Sequence, residues 1–164
     1  MMDVLWAGWR SAYMSEVQQG VETEVCLFCE LPSVSDEEAY IVARNTTAYA
    51  VLNLYPYTSG HLLIAPYRHV GIPGELAADE QQDVWGLLAR TQEAIGAVLD
   101  PHGYNLGVNQ GRAGGAGVPG HFHLHVVPRW SGDANFMTAT ANARILPEPL
   151  EDTWERLREA LSSL

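Results

Sequence analysis

Five short runs of apolar residues, most of them alternating with polar ones, predict five β-strands along the chain. The runs are EEAYIVAR, TAYAVLN, HLLIAP, YNLGVNQ and the stretch that begins GHFHLHVV, and the first two lie at about 38–44 and 47–53. Asn45 and Thr46 form a short turn between these two, and Pro66 ends the third. The pattern therefore predicts a five-stranded sheet.

Two longer patterns have the spacing of helices. The first lies between the third and fourth strands, opens on a capping-box pattern at Asp79 and Gln82, and ends at the breakers of DPHG. Its apolar stripe consists of Val84, Leu87, Leu88, Ile95, Val98 and Leu99. The second predicts a C-terminal helix at about 150–163, with Leu150, Trp154, Leu157 and Leu161 on one side. Runs of strands with a helix inserted are typical of an α+β domain with a mostly antiparallel sheet.

The last predicted strand carries three of the six histidines of the chain. In an extended strand His121, His123 and His125 share one face at spacings of about 7 Å, because successive side chains point to opposite sides. The residues that alternate with them then face the core; these are Phe122, Leu124 and Val126. We expect this strand and the fourth to pair as a hairpin, which brings Asn105 and Asn109 to the histidine face.

Composition excludes several classes of function. The chain has 164 residues, the length of one domain, with a formal net charge of −11 and no lysine. A chain without lysine has no Schiff-base mechanism and no Walker-type phosphate lysine, and its acidity argues against nucleic acid as a partner. No apolar run is long enough to span a membrane, and the first residues lack the pattern of a secretion signal, so we expect a cytoplasmic protein without a membrane partner.

A glycine-rich loop, GRAGGAGVPG, directly precedes the histidines. Glycines let backbone amides approach a ligand closely, and such loops can hold phosphate. Imidazole can act as a nucleophile near neutral pH. Loop and histidines together indicate covalent phosphoryl or nucleotidyl transfer, in which one imidazole attacks phosphorus.

The only cysteines, Cys26 and Cys29, form a C-x-x-C pair. Such a pair is typical of a redox centre or of half a zinc site, and it can also be a plain pair without metal. Nothing upstream supplies the strand of a thioredoxin-like βαβ unit, and a cytosolic context argues against a structural disulfide. A zinc site needs two further ligands, for which histidines are the natural suppliers.

These motifs resemble the histidine triad (HIT) superfamily of nucleotide hydrolases and transferases. HFHLHVV is similar to the family's signature of three alternating histidines, and VLNLYPYTSGHLLIAPYRHV resembles the segment that lines its nucleoside pocket. HVVPRWSGDANFM is similar to the bacterial branch that includes diadenosine tetraphosphate (Ap4A) phosphorylases. The resemblance implies a HIT-like fold for a single domain over 1–164. We expect a core at about 22–137, an N-terminal arm over 1–21 and the C-terminal helix.

The resemblance also implies roles for residues of the site. His123 is expected to be the nucleophile that forms a nucleotidyl-histidine intermediate with an AMP-containing substrate, and water or inorganic phosphate then releases the nucleotide. His125 and Asn109 are expected to hold and position the phosphate. Contacts to the substrate are expected from Asn53, Leu54, Gly115, Gly117, Arg129 and Trp130. Asn53 stands where many members carry a ribose-binding aspartate, and Arg129 and Trp130 are either surface and packing residues or contacts to distal phosphates or a second base.

Distant members, the galactose-1-phosphate uridylyltransferases, bind zinc through C-x-x-C and two histidines. The matching residues here are Cys26, Cys29, His69 and His121, which predicts a closed, structural zinc site and no organic cofactor. The family also implies a homodimer paired through the long helix and the fourth strand. His61, which opens the third strand, is expected to pack or cap rather than to bind metal.

Three functions stay open at this point. The first is a dinucleoside polyphosphate phosphorylase or hydrolase that works through His123. The second is the same chemistry on a nucleoside phosphoramidate or an acyl adenylate, although residues 118–120 offer no serine of the kind that many phosphoramidate-cleaving members carry before the triad. The third is a non-catalytic nucleotide- or zinc-binding module.

Overall fold

A five-stranded sheet forms the centre of the protein, for which the computed structural model describes residues 25–133 and 148–164. The strands are β1 (Ile41–Arg44), β2 (Ala48–Leu52), β3 (Leu62–Pro66), β4 (Gly103–Gly107) and β5 (Leu124–Arg129). They are ordered β1-β2-β3-β5-β4, and every neighbouring pair is antiparallel. The predicted antiparallel sheet is confirmed, whereas the predicted arm over 1–21 lies outside the described residues.

Three helices accompany the sheet in the described part of the chain. They are α1 (Leu27–Glu30), α2 (Ala78–Leu99) and α3 (Leu150–Ser162), with 3₁₀ turns at Leu31–Ser33 and Pro73–Glu75. α2 ends at Leu99, and its C-cap residue Asp100 has a left-handed φ of 46°, which terminates the helix within the predicted DPHG breaker. α3 agrees with the predicted C-terminal helix and buries Leu157 and Leu161. None of the described helices is both long and apolar enough to cross a membrane.

The two faces of the sheet are buried by different parts of the chain. One face packs against α2 and α3 in a core that contains Leu87, Ile95 and Leu157, all at most 1% exposed. The other face carries a smaller core in which Phe28 of α1 packs on Tyr49 and neighbouring residues of the sheet. The Tyr49 hydroxyl donates to the backbone carbonyl of Phe28 over 2.7 Å, so the sheet holds α1 directly.

The start of α2 differs from the prediction. The helix begins at Ala78, and the residue that caps it is Glu80, whose carboxylate accepts from the Ala77 amide at 2.8 Å. Arg68 donates to both oxygens of this carboxylate, at 2.9 and 2.6 Å, which holds the pKa of Glu80 below its usual range. The expected capping pair of Asp79 and Gln82 was therefore wrong, because a partner distant in sequence fixes the cap at Glu80.

The histidine strand also starts later than predicted. β5 begins at Leu124, and β4 ends at Gly107, which lies opposite His125. The preceding residues are held by the end of β3 and the chain that follows it, because His121 donates to the Pro66 carbonyl at 2.9 Å and the Phe122 amide donates to the Val70 carbonyl at 2.5 Å. The core positions Phe122, Leu124 and Val126 are at most 5% exposed, as the alternation predicts.

Candidate active site

Two cavities meet at the histidine face of the sheet, and both are lined by Tyr57, Asn109 and His125. The α1 cavity lies between α1 and the sheet, and its further walls include Leu27, Phe28, Leu31, Val51, Asn53, Leu54, Gly115, Gly117, Val118 and His123. The edge cavity, of about 340 Å³, lies over β4 and β5, and its further walls include Thr58, Asn105, Gly107, Val127, Arg129 and Asp133. His123 is thus in the α1 cavity, and His125 lies between the two.

A backbone hydrogen bond orients the ring of His123 and fixes its tautomer. Its Nδ1 lies 2.8 Å from the backbone carbonyl of His121, and since a carbonyl only accepts, Nδ1 carries the proton and Nε2 carries the lone pair. Burial lowers the pKa of His123, against the opposing effect of that carbonyl hydrogen bond, so the neutral form is favoured. A neutral imidazole with a free lone pair on Nε2 is the form that can attack phosphorus.

Phe28 packs directly on the His123 ring. The two ring centroids are 4.8 Å apart at an interplanar angle of 26°, and Phe28 also lies 5.4 Å from the ring of His121. Phe28 is 2% exposed and stands between the two cysteines in sequence. The C-x-x-C segment therefore supplies both a wall of the α1 cavity and a stacking surface for His123.

His61 orients His125 through a chain of hydrogen bonds. The Tyr57 amide donates to Nδ1 of His61 at 3.1 Å, so neutral His61 carries its proton on Nε2, which lies 3.0 Å from Nδ1 of His125. His125 then accepts on Nδ1 and bears its own proton on Nε2. His125 is thereby set as a hydrogen-bond donor, which suits a group that contacts phosphate oxygens.

Asn53 supports the same chain of hydrogen bonds. Its side-chain oxygen accepts from the Tyr55 amide at 3.0 Å, and its amide nitrogen lies 3.3 Å from Nδ1 of His61. Asn53 and the exposed Leu54 both line the α1 cavity, where the sequence places substrate contacts.

The glycine loop closes the α1 cavity from the other side. Gly115 has a φ of +84°, a conformation that favours glycine. A Cβ added there would lie 4.0 Å from the side-chain amide nitrogen of Asn109. Gly115, Gly117 and Asn109 all line the cavity. The Gly115 amide donates to the carbonyl of Arg112 at 3.0 Å, which shapes the loop itself.

Cys26, Cys29, His69 and His121 come together as one cluster, with ligand atoms all within 4.8 Å of one another. Nδ1 of His121 lies 3.4 and 3.6 Å from the two sulfurs, and Nδ1 of His69 lies 3.4 Å from that of Cys29. A tetrahedral zinc ion with bonds of about 2.3 Å to sulfur and 2.0–2.1 Å to nitrogen separates such atoms by about 3.5 Å. The donation from Nε2 of His121 to Pro66 leaves Nδ1 as the ligand atom, so the cluster fits a zinc ion.

Arg129 and Trp130, the two predicted substrate contacts at the end of the histidine strand, lie in different surroundings. Arg129 lines the edge cavity, where its guanidinium donates to both oxygens of Asp133 at 2.6 and 2.7 Å and to Asn105 at 2.5 Å. Trp130 lies at the end of α2 instead, where its indole donates to the carbonyl of Asp100 at 3.2 Å, and it is not among the lining residues of either cavity.

Sequence reasoning missed three contributions to this site. The sequence indicated no role for Phe28 beyond its position between the two cysteines. It indicated none for Tyr57, which lies in a predicted loop. His61 was interpreted as a packing or capping residue, and it is fully buried, yet its 3.0 Å contact with His125 makes it a partner of the site. Its place at the start of the third strand, opposite the histidine strand, was the signal that could have indicated this.

A buried neutral histidine on a cavity wall, with further histidines beside it, is an arrangement suited to nucleophilic transfer. Residues 35–132 match the model of the HIT domain family, and AP-4-A phosphorylase of Mycobacterium tuberculosis is 41% identical over 157 residues, covering 91% of this chain and 79% of that protein. The chain therefore belongs to the HIT domain family.

Two solved structures share the fold of this chain. A Zn-bound histidine triad family protein from Mycobacterium smegmatis has a TM-score of 0.69 at 25% identity, with 85% of this chain and 95% of that chain covered. A uridylyltransferase mutant has a TM-score of 0.73 at 21% identity, with 94% of this chain and 52% of that chain covered, which shows the shared fold alone.

Replacing His61 with phenylalanine is expected to lower kcat by about 10- to 100-fold. The loss corresponds to removal of a buried hydrogen-bond partner, worth about 1–3 kcal/mol, from His125. Steady-state kinetics on a dinucleoside polyphosphate measures it, and circular dichroism checks the fold. His102→Phe, in an exposed turn, is the matched control, and equal kcat for both variants would contradict the role of His61.

Proposed function

We propose that this chain is a nucleotidyl-transfer enzyme that cleaves dinucleoside polyphosphates, Ap4A among them, through a covalent nucleotidyl-histidine. The observation that carries the proposal is the state of His123: its Nδ1 proton is fixed by the His121 carbonyl, and its Nε2 is left as the nucleophile on the wall of the α1 cavity. The apolar walls of that cavity suit a nucleoside, with Asn53 able to hydrogen-bond the ribose.

The reaction proceeds in two steps. Nε2 of His123 forms a bond to the α-phosphorus while the bond from this phosphorus to the bridging oxygen breaks, and the rest of the polyphosphate leaves as ATP when the substrate is Ap4A. His125 and Asn109 hold the phosphate oxygens as charge develops. In the second step an oxygen of inorganic phosphate, or of water, attacks the same phosphorus, and the P–N bond breaks to return His123 to its neutral form.

Similarity to the phosphorylase from M. tuberculosis supports phosphate as the acceptor. A phosphoramidate or acyl adenylate as substrate would use the same His123 chemistry, but Val118, Pro119 and Gly120 supply no hydroxyl before the triad. A non-catalytic nucleotide-binding module would not require the proton on Nδ1 of His123 to be fixed.

We also propose that Cys26, Cys29, His69 and His121 hold a structural zinc ion. The sulfur–nitrogen separations support it, as does the Zn-bound relative from M. smegmatis. When bound, the ion supplies a cross-link between α1 and the segment before β5 rather than a reactive site, since all four ligands come from the protein.

A homodimer is the assembly that we propose for this enzyme. β4 is the edge of the sheet, with Leu106 45% exposed, and Trp85 on α2 is 61% exposed. Both lie on the elements through which the resemblance implies pairing. A cytoplasmic location stays a prediction from the sequence.

The experiment that tests the function is incubation of the purified protein with Ap4A, with and without inorganic phosphate. Phosphorolysis is expected to yield ATP and ADP in equal amounts, and hydrolysis yields ATP and AMP, so chromatography of the products separates the two. Ap3A and adenosine phosphoramidate, tested in parallel, define the leaving group. Absence of turnover with all three substrates would leave only the binding-module function.

A further inference from the structure

We propose that Arg112, in the glycine loop, binds the phosphates beyond the one that His123 attacks, so that affinity rises with the length of the polyphosphate chain. Arg112 is then a specificity-determining residue for the number of phosphates in the substrate. The inference rests on the proposed function, because it concerns the same substrate at the same site. It adds a contact from outside the two cavities, since Arg112 lines neither of them.

Arg112 stands in a long stretch of the chain that contains no acid. No aspartate or glutamate occurs between Asp100 and Asp133, although the whole chain has a formal net charge of −11. Of the described residues that line the two cavities, Asp133 is the single acid, and Arg129 neutralises it through two hydrogen bonds. An anionic polyphosphate, which most of this acidic chain repels, therefore meets little repulsion at this site.

The guanidinium of Arg112 is available for a ligand. Five of the described arginines form ion pairs with carboxylates: Arg44, Arg68, Arg129, Arg156 and Arg158. The two that pair with no described residue are Arg112 and Arg90, an exposed residue of α2. Arg112 is exposed as well, but it belongs to the loop that runs from Asn109, which lines both cavities, to Gly115, which lines the α1 cavity.

The backbone of the loop fixes the position of Arg112. The Gly115 amide donates to the Arg112 carbonyl at 3.0 Å, and this hydrogen bond closes a turn that begins at the arginine. Gly114 permits the turn, because a Cβ at this position would collide with the carbonyl oxygen of Gln110. The turn thus holds Arg112 beside residues that line the cavities without placing it among them.

The chemistry of a guanidinium suits the phosphates that leave. Its planar fork donates paired hydrogen bonds to phosphate oxygens. The attacked phosphate has His125 and Asn109 as its proposed partners, whereas the phosphates beyond it find no unpaired arginine among the described cavity walls, since Arg129 is held by Asp133. AMP, which ends at the attacked phosphate, stays within the α1 cavity, and a longer chain extends to Arg112.

The test compares AMP with adenosine 5′-tetraphosphate, which share a nucleoside and a first phosphate and lack a second nucleoside. Binding is measured by calorimetry on the full chain carrying His123→Gln, which prevents turnover. We expect the additional substitution Arg112→Gln to weaken the binding of adenosine tetraphosphate about tenfold, the effect of one lost charge-assisted contact, and to leave the affinity for AMP unchanged. Added salt should also weaken tetraphosphate binding less in this variant than in its parent. Arg90→Gln, which removes the other unpaired arginine, is the matched control and is expected to change neither affinity.

Each other outcome overturns the inference in a distinct way. An equal loss for both ligands places Arg112 at the part they share, and no loss for either leaves it in solvent, while the proposed function stands. A tetraphosphate loss of the same size with Arg90→Gln shows a general effect of net charge. Failure of the folded parent chain to bind either ligand overturns the proposed function as well. An oligomeric state that changes with Arg112→Gln alone, measured by sedimentation, assigns this arginine to an interface between copies instead.

Discussion

Replacing His123 with alanine is expected to lower the turnover of Ap4A by at least about 10⁴-fold, the scale seen when a nucleophile of a covalent mechanism is removed. No other side chain of the α1 cavity presents a neutral imidazole whose tautomer is fixed by a backbone carbonyl. Single-turnover kinetics with Ap4A measures the loss. Mass spectrometry of the acid-quenched wild-type protein should detect adenylate on the chain, and this adduct should be absent from the variant.

The control for this prediction separates chemistry from folding. His123 is only 5% exposed, so alanine leaves a cavity beneath Phe28. His123→Gln restores much of the volume but supplies no nucleophile, and it should be as inactive as the alanine variant. Full turnover by either folded variant would show that another group forms the bond to phosphorus.

Removal of the proposed zinc ion is expected to lower the midpoint of thermal unfolding by about 10 °C. A closed site of four protein ligands contributes several kcal/mol to folding, and for a chain of this size about 1 kcal/mol corresponds to 2–4 °C. The described contacts of α1 otherwise include the Tyr49 hydrogen bond and the packing of Phe28. Calorimetry with and without a chelator measures the shift, and elemental analysis of the same sample identifies the metal.

The Cys26→Ser variant provides the matched comparison. It should unfold near the temperature of the chelated wild-type protein, and addition of chelator should not lower that temperature further. Because Phe28 follows Cys26 by two residues and stacks on His123, the variant should also lose affinity for adenosine nucleotides. A wild-type protein that contains no metal and does not respond to chelator would reduce the cluster to a thiol pair beside two histidines.

Local pattern in the sequence predicts most of the fold. The alternation of apolar residues identifies the strands, because one face of each strand must enter a core, and the stripe from Val84 to Leu99 identifies the long helix for the same reason. The boundaries that were wrong depend on contacts between distant segments. The cap of α2 is fixed by Arg68, and the start of β5 is fixed by Val70, neither of which follows from neighbouring residues.

In the candidate site, too, the sequence indicates some features, whereas others depend on contacts that appear only in the folded chain. The residue types on the histidine strand indicate the chemistry, and the resemblance to a family names the nucleophile. Which ring nitrogen of His123 carries the proton is decided by a carbonyl that folds back within the same segment, and the orientation of His125 is decided by His61, 64 residues away. These assignments require the three-dimensional arrangement.

The hydrogen bonds of the segment before β5 have a consequence for how this protein can change over evolution. A slide of this strand by two residues would put one histidine in the place of the next on the same face of the sheet. The bonds from His121 to Pro66 and from Phe122 to Val70 are among the contacts that fix the correct alignment. Since these anchors lie downstream of the glycine loop, insertions or deletions around residues 111–117 are absorbed before they reach the histidines. Loop length can therefore drift to fit new ligands while the imidazoles keep their places.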